Sequence, residues 1–287
     1  MLLSDMDGTL LNSKKQITAV DRAAIERFTR LGGRVTVATG RTRQSFEQYR
    51  AMIELKYPVI MYNGAAIHDF TNGKTLYTCP LPSEARAITQ EILDLMPDVG
   101  GEVLKVEGTY VYRNNDYQKL HTKLCNIVPN YTELAEIPEG GWLKVLFAMS
   151  PEDMDYIQVL VRQKGYDTVD FVKSSEMFYE MLPKGVSKGS ALSEFRKLPG
   201  MEGFTFVSIG DFDNDIEMIK AADLGACPAN AEESVKNVAD LVLSHSNEDG
   251  AVAELIDDII ARCGASVVIT KRLVYEEKSM RISHLSS

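Results

Sequence analysis

Apolar and polar positions along the first sixty residues alternate between two periods. Leu2-Leu3-Ser4 is a short run that predicts a buried strand, and it leads straight into Asp5-Met6-Asp7-Gly8. From Thr18 to Leu31 the apolar positions Val20, Ala23, Ala24, Ile25, Phe28 and Leu31 mark one helical face. Thr18 stands as the N-cap and Gly32-Gly33 ends the helix. Arg34–Ala38 is β-rich and runs into Thr39-Gly40-Arg41. A helix over Ser45–Ile53 and a strand over Val59–Tyr62 follow, with a turn at Asn63-Gly64. This β-α-β-α-β order predicts a parallel sheet with helices on both faces.

The pattern changes near Pro80–Pro82. Ser83–Met96 reads as a helix with Ser83 as its cap. Val103–Tyr112 mixes β-branched and aromatic residues, as antiparallel strands do. A strand over Leu143–Met149, a helix over Pro151–Lys164 and strands over Thr168–Val172 and Met177–Leu182 follow. The parallel pattern resumes with a helix over Ser187–Leu198 and a strand over Phe204–Ile209 that runs into Gly210-Asp211. Next come helix Asp213–Ala222, strand Leu224–Ala226, helix Glu232–Val238, strand Leu241–Leu243 and a closing helix over Gly250–Arg262. Val267–Ile269 reads as an edge strand, and Lys271–Ser287 as a frayed polar tail. The expected fold class is α/β: a doubly wound, Rossmann-like parallel-sheet core with an inserted α+β domain. The core takes residues 1–80 and 184–264, the insert 81–183 and the tail 265–287.

Composition narrows the functions. Of 287 residues 45% are hydrophobic and 25% charged, which is globular usage. A net charge of -10 argues against non-specific nucleic-acid binding and against an anionic membrane surface. A small anionic substrate stays compatible, because local groups and a metal outweigh the global field. Cys79, Cys125, Cys227 and Cys263 form no C-x-x-C pair, which fits reduced thiols in the cytoplasm. Acidic residues stand where a secretory leader would be basic and apolar, and no apolar run approaches the roughly 20 residues of a membrane span.

Four polar segments fall just after predicted strands or at helix starts: Asp5/Asp7, Thr39-Gly40, Lys188-Gly189 and Gly210–Asp215. In a doubly wound sheet such positions converge on one edge. Each alone reads as a turn, a cap or a solvated lysine; all four together are poorly explained that way. Asp5 and Asp7 offer one oxygen nucleophile and one acid/base. Asp211, Asp213 and Asp215 would repel one another without a cation, and carboxylates with no histidine favour Mg²⁺ over zinc. Thr39-Gly40 offers a hydroxyl and backbone amides as an anion nest. Lys188 and Asn214 offer donors to a phosphate.

These residues resemble the haloacid dehalogenase superfamily, and within it the Cof-type sugar-phosphatase-like group. Asp5–Leu10 matches its Asp-x-Asp-Gly-Thr-Leu motif and Thr39-Gly40-Arg41 its second motif. Lys188-Gly189 matches the third, and Gly210–Met218 matches Gly-Asp-x-x-Asn-Asp-x-x-Met. Asn63-Gly64-Ala65 and Asn247–Gly250 resemble further stretches of that group. The resemblance implies that Asp5 attacks phosphorus to form an aspartyl-phosphate, while Asp7 protonates the leaving alcohol and then activates water. It implies Mg²⁺ held by Asp5, the Asp7 backbone carbonyl, Asp211 and Asp215. Thr39, Gly40, Lys188 and Asn214 would grip the phosphate. The insertion between Ala65 and Lys188 resembles the group's cap, which would close over the site and read the leaving group. The expected function is hydrolysis of a small phosphorylated metabolite, most simply a sugar phosphate. A phosphomannomutase-like mutase and a non-catalytic sugar-phosphate binder are the alternatives.

Overall fold

Three residues of extended chain, Leu2–Ser4 (β1), lie at the centre of a parallel sheet, and all three are buried. Successive side chains of a strand point to opposite faces, so Leu2 and Leu3 enter different apolar clusters. The computed structural model describes residues 1–53 and 56–264. After β1 come α1 (Ala19–Arg30), β2 (Val35–Val37), α2 (Arg43–Glu47), β3 (Val59–Met61) and the hairpin of β4 (Ala66–Asp69) and β5 (Lys74–Thr78). The middle part holds α3 (Ala85–Leu95), β6 (Gly100–Lys105), β7 (Gly108–Arg113), α4 (Asp116–Leu124) and β8 (Asn130–Tyr131). It continues with β9 (Trp142–Ala148), α5 (Pro151–Lys164), β10 (Val169–Ser175) and β11 (Phe178–Pro183). The last part holds α6 (Lys188–Phe195), β12 (Val207–Ile209), α7 (Ile216–Ala221), β13 (Leu224–Cys227), α8 (Glu233–Lys236) and β14 (Leu241–Val242). A helix over 251–264 follows.

The central sheet has the order β14-β13-β12-β1-β2, with every neighbour parallel. β3 extends it through a parallel bridge from Ala38 to Ile60. The chain therefore winds outward from β1 in one direction and from β12 in the other. Between those two strands the winding reverses, and in open α/β sheets ligand crevices form there, at the carboxyl ends of the strands. The fold is the expected α/β class with a Rossmann-like parallel sheet.

The second sheet has the order β10-β11-β9-β6-β7-β8. Its two faces are sorted by the period of two. Val103, Val145, Phe147 and Met181 pack against Ile88 and Ile92 of α3 and Ile157 and Leu160 of α5. Leu104, Leu146 and Phe178 face the other way and join the apolar cluster around Leu2, Phe46 and Tyr62. Glu102, Lys144 and Glu180 alternate with the helix-facing residues, so they share this second face, and all three are buried. A third, three-stranded sheet has the order β3-β4-β5.

Several elements differ from the sequence reading. Ser83 does not cap α3: Glu84 is the N-cap residue and makes no side-chain cap bond, while the Ala85 amide is satisfied by the Pro82 carbonyl. The helix expected over Ser45–Ile53 is five residues long, capped by Thr42, and decays into tight turns at Tyr49 and Arg50. Val103–Tyr112 does hold antiparallel strands: it is most of the hairpin β6–β7, which turns at Val106-Glu107. The β4–β5 hairpin and α4 were not foreseen. The helix expected from Asp213 begins as a 3₁₀ turn over Asp213–Asp215, because Asp215 Oδ2 accepts the Asp211 and Phe212 amides from inside that turn. Val267–Ile269 and the tail lie outside the described residues.

Candidate active site

β1 and β12 end side by side, with the Asp5 amide donating to the Ile209 carbonyl at 2.9 Å. That pairing places Asp5 and Asp211 at adjacent strand ends. Gly8 follows with φ +88°, and a Cβ there would collide with the Asp211 carboxylate, so the turn after Asp7 needs glycine for both conformation and space. Thr9 Oγ1 then donates to Asp211 Oδ1 at 2.6 Å, tying the first loop to the fourth.

Carboxylate oxygens of Asp5, Asp211 and Asp215 lie within 4.8 Å of one another. Against these three stands one buried cation. Lys188, the first residue of α6, donates from Nζ to Asp5 Oδ1 at 2.5 Å and to Asp215 Oδ1 at 2.7 Å. Burial pushes the Asp5 carboxyl well above its usual range; Lys188 opposes the rise while Asp215 and Asp211 add to it. Burial and then the Asp215 charge push Asp211 up to about 7, against the Thr9 hydrogen bond. Lys188 is held above the usual ammonium range: burial works against its charge, but Asp215 and Asp5 outweigh it. The cluster is short of positive charge. Its donors are all hard oxygens with no thiolate or imidazole among them, which fits a hard divalent cation.

Asp7 points elsewhere. Arg41 holds both its oxygens, Nε to Oδ2 and Nη2 to Oδ1 at 2.7 Å each, and Lys15 Nζ reaches Oδ1 at 2.6 Å. Burial would raise its pKa, but Arg41 and Lys15 outweigh that and hold Asp7 below the usual carboxylate range. Arg41 is itself fixed, with Nη1 on Ser45 Oγ at 2.9 Å and its guanidinium over the Tyr49 ring at 4.4 Å.

A cavity of about 330 Å³ opens over this edge. Asp5, Asp7, Thr39, Gly40, Asp211 and Asn214 line it, six of the eight residues singled out from sequence. Lys188 and Asp215 are buried behind the carboxylates instead of in its wall. Asp213, expected in the acidic cluster, is exposed and accepts from Ser234 Oγ at 2.5 Å. A larger cavity of about 750 Å³ lies beside α1 and β2, bordered by Arg22, Arg30 and Arg34, with none of these groups in it.

Four residues not counted in the sequence site complete it: Arg41, Asn63, Lys144 and Glu180. Asn214 Nδ2 donates to Asn63 Oδ1 at 3.0 Å, and Asn63 Nδ2 donates to Glu180 Oε2 at 2.5 Å. Lys144 Nζ donates to Glu180 Oε1 at 2.8 Å and to the Gly40 carbonyl at 3.1 Å. This buried chain runs from the second sheet onto the Thr39-Gly40 loop. Tyr62 and Asn63 both sit at φ 54°, a strained conformation for such residues, and this backbone aims the Asn63 amide at its two partners. The Thr-Gly-Arg and Asn-Gly-Ala motifs carried the signal for Arg41 and Asn63. Nothing local marks Lys144 or Glu180.

Residues 2–256 match the haloacid dehalogenase-like hydrolase family. The chain belongs to that family. Among relatives within it, the chain is 27% identical over 250 residues to 5-amino-6-(5-phospho-D-ribitylamino)uracil phosphatase YcsE of Bacillus subtilis, covering 87% of this chain and 92% of the relative. It is 29% identical over 238 residues to HMP-PP phosphatase of Serratia proteamaculans, covering 82% and 85%. A solved haloacid dehalogenase-like hydrolase from Bacteroides thetaiotaomicron aligns at 26% identity and TM-score 0.77, covering 90% of this chain and 98% of that one. This member of the family is an enzyme, a phosphoric monoester hydrolase. None of its described helices is long and apolar enough to cross a membrane.

Proposed function

We propose that the chain is a Mg²⁺-dependent phosphatase of small cytoplasmic phosphomonoesters, sugar phosphates foremost. The observation that carries this reading is that Asp5 and Asp211 line one cavity with Thr39, Gly40 and Asn214, while Asp215 and the single buried lysine, Lys188, stand directly behind them. Two relatives named for phosphorylated small molecules support the substrate class. The four cysteines are free, which supports a reducing compartment.

Asp5, the Asp7 backbone carbonyl and Asp211 would hold Mg²⁺. Asp215 would act through water, since Lys188 and two amides already occupy its oxygens. The ion supplies charge neutralisation at the phosphate oxygens. Asp5 attacks phosphorus; the new P–O bond forms as the bond to the leaving alcohol breaks. Asp7 gives that alcohol its proton, and afterwards takes one from the water that releases phosphate. Arg41 grips Asp7 by both oxygens and so sets the direction from which that carboxyl meets the leaving oxygen. Thr39, the Gly40 amide and Asn214 orient the phosphate, while Lys188 fixes Asp5 from behind. Residues 1–80 and 184–264 serve as the catalytic core, and 81–183 as a cap that excludes water and reads the leaving group.

A mutase needs a second phosphate site in the cap. Among the described residues from that segment, Lys144 is the one lysine or arginine lining the cavity, and Glu180 neutralises it. Hydrolysis is therefore the reading carried forward. Phosphate release from an aryl phosphate is expected in Mg²⁺ buffer and lost with EDTA or in Asp5→Asn. Undiminished release by Asp5→Asn would remove Asp5 as the nucleophile.

A further inference from the structure

Cys125 follows the last residue of α4, and His121 stands four residues before it, so the two share a helix face. Cys125 Sγ lies 3.4 Å from His121 Nε2, and Nδ1 of the same ring lies 3.1 Å from Glu102 Oε1. Glu102 is fully buried on β6, and its Oε2 accepts from Gln118 Nε2 at 2.6 Å. The imidazole packs edge-on against Phe178, with ring centroids 4.7 Å apart. Thiol, imidazole and carboxylate thus stand in series, the order in which a nucleophile is activated and its base oriented.

The electrostatics agree with the geometry. Burial works against the imidazolium, but Glu102 and Cys125 outweigh it and hold His121 up at about 10. Burial also works against a thiolate, yet His121, with Arg41 adding to it, holds Cys125 below the ordinary thiol range despite the Glu102 charge. A charge contact that merely ties α4 to the sheet would need Glu102 and His121 and no sulfur. Among the described cysteines, Cys125 is the one hydrogen-bonded to a histidine, and it lines the same cavity as Asp5, Asp7 and Arg41.

We propose that Cys125 is a reactive thiolate and a redox modification site in the wall of the catalytic cavity, with hydroperoxides as its co-substrate. The sulfur attacks the terminal oxygen of the hydroperoxide. An S–O bond forms, the O–O bond breaks, and its electron pair leaves with the departing oxygen. His121 gives that oxygen its Nε2 proton and recovers one from solvent. Sulfur loses two electrons and becomes a sulfenic acid; the hydroperoxide is reduced to water or an alcohol. The added oxygen protrudes into the cavity where substrate must sit, so oxidation slows turnover and a dithiol restores it.

The test uses the full chain and reads labelling at each cysteine by peptide mass spectrometry. At pH 6.5 with limiting iodoacetamide, half-buried Cys125 is expected to label faster than exposed Cys263, because thiolate fraction rises faster than intrinsic reactivity falls as a thiol's pKa drops. After hydrogen peroxide, a dimedone adduct is expected first at Cys125, and Cys125→Ser is expected to lose both the adduct and the peroxide sensitivity of turnover. Faster labelling of Cys263 at pH 6.5, or no adduct at Cys125, would overturn the proposal. Labelling needs no phosphatase activity, so this result stands apart from the functional reading above.

Discussion

Arg41 holds Asp7 by both carboxylate oxygens, at 2.7 Å on each side, from a guanidinium that is itself stacked on Tyr49 and bonded to Ser45. A planar fork bound at two points sets the direction of the carboxyl as well as its charge. Lysine at position 41 would keep the charge and lose the direction. Arg41→Lys is therefore expected to lower kcat on an aryl phosphate by about tenfold to a hundredfold, the value of one or two charged hydrogen bonds. Unchanged kcat in a folded variant would show that the orientation of Asp7 does not matter.

Lys188 is the buried cation shared by Asp5 and Asp215. Removing it leaves both carboxylates buried without their partner, which typically costs about 3–5 kcal/mol. Lys188→Met is expected to lower the urea midpoint of the metal-free protein accordingly. An unchanged midpoint would mean that water already screens the pair.

Lys144 and Glu180 carry a second buried pair, and through Gly40 and Asn63 it joins the second sheet to the phosphate loop. Lys144→Met alone is expected to destabilise by about 3–5 kcal/mol, because Glu180 keeps its charge without a counter-ion. Lys144→Met with Glu180→Leu is expected to regain most of that stability while kcat stays low, since Gly40 and Asn63 lose their anchor. Full recovery of turnover in the double variant would deny the pair any role in positioning.

Divalent binding makes a separate prediction. Thermal midpoints are expected to rise with Mg²⁺ concentration, because a cation that binds the folded state alone stabilises it by mass action. Asp211→Asn removes one of the three clustered carboxylates and is expected to abolish most of the rise. An equal rise in that variant would move the metal elsewhere.

Acid stability should report on Glu254. Burial would raise its pKa, but the Ser244 and His245 amides and the His245 ring hold it down at about 2, from an ordinary value of 4.5. A lowered folded-state pKa adds stability above the unfolded value and loses it as pH falls toward the folded one. The stability difference between the native chain and Glu254→Gln is expected to shrink from about pH 4.5 down to about pH 2, and also to fall as pH rises through the His245 titration, because Glu254 is what raises that imidazole's pKa. A difference that does not vary over that range would assign the contact to packing.

The parallel core was legible because its signals are local. Leu2–Ser4 is a strand as expected, Thr18 caps α1 through the Asp21 amide, and Pro151–Lys164 is a helix over the residues named for it. Elements that depend on distant partners were not. Nothing within Ser83–Met96 shows that the Pro82 carbonyl would take the place of a serine cap. The hairpin β4–β5 needs cross-strand neighbours before its short runs become strands, whereas the β-branched and aromatic residues of Val103–Tyr112 already marked β6–β7.

The one-dimensional order of residues determined the chemistry on offer: which carboxylates follow β1 and β12, and that a threonine, glycine and arginine follow β2. Folding decided how that chemistry is shared out. It set Lys188 behind Asp5 instead of in the cavity wall, gave Asp7 to Arg41, removed Asp213 from the acidic cluster, and brought Lys144, Glu180 and Cys125 to the cavity from the second sheet and its helix. The physical reason is that strand ends can be read from periodicity alone, whereas a buried charge settles against whichever opposite charge the packing of separate layers leaves within reach.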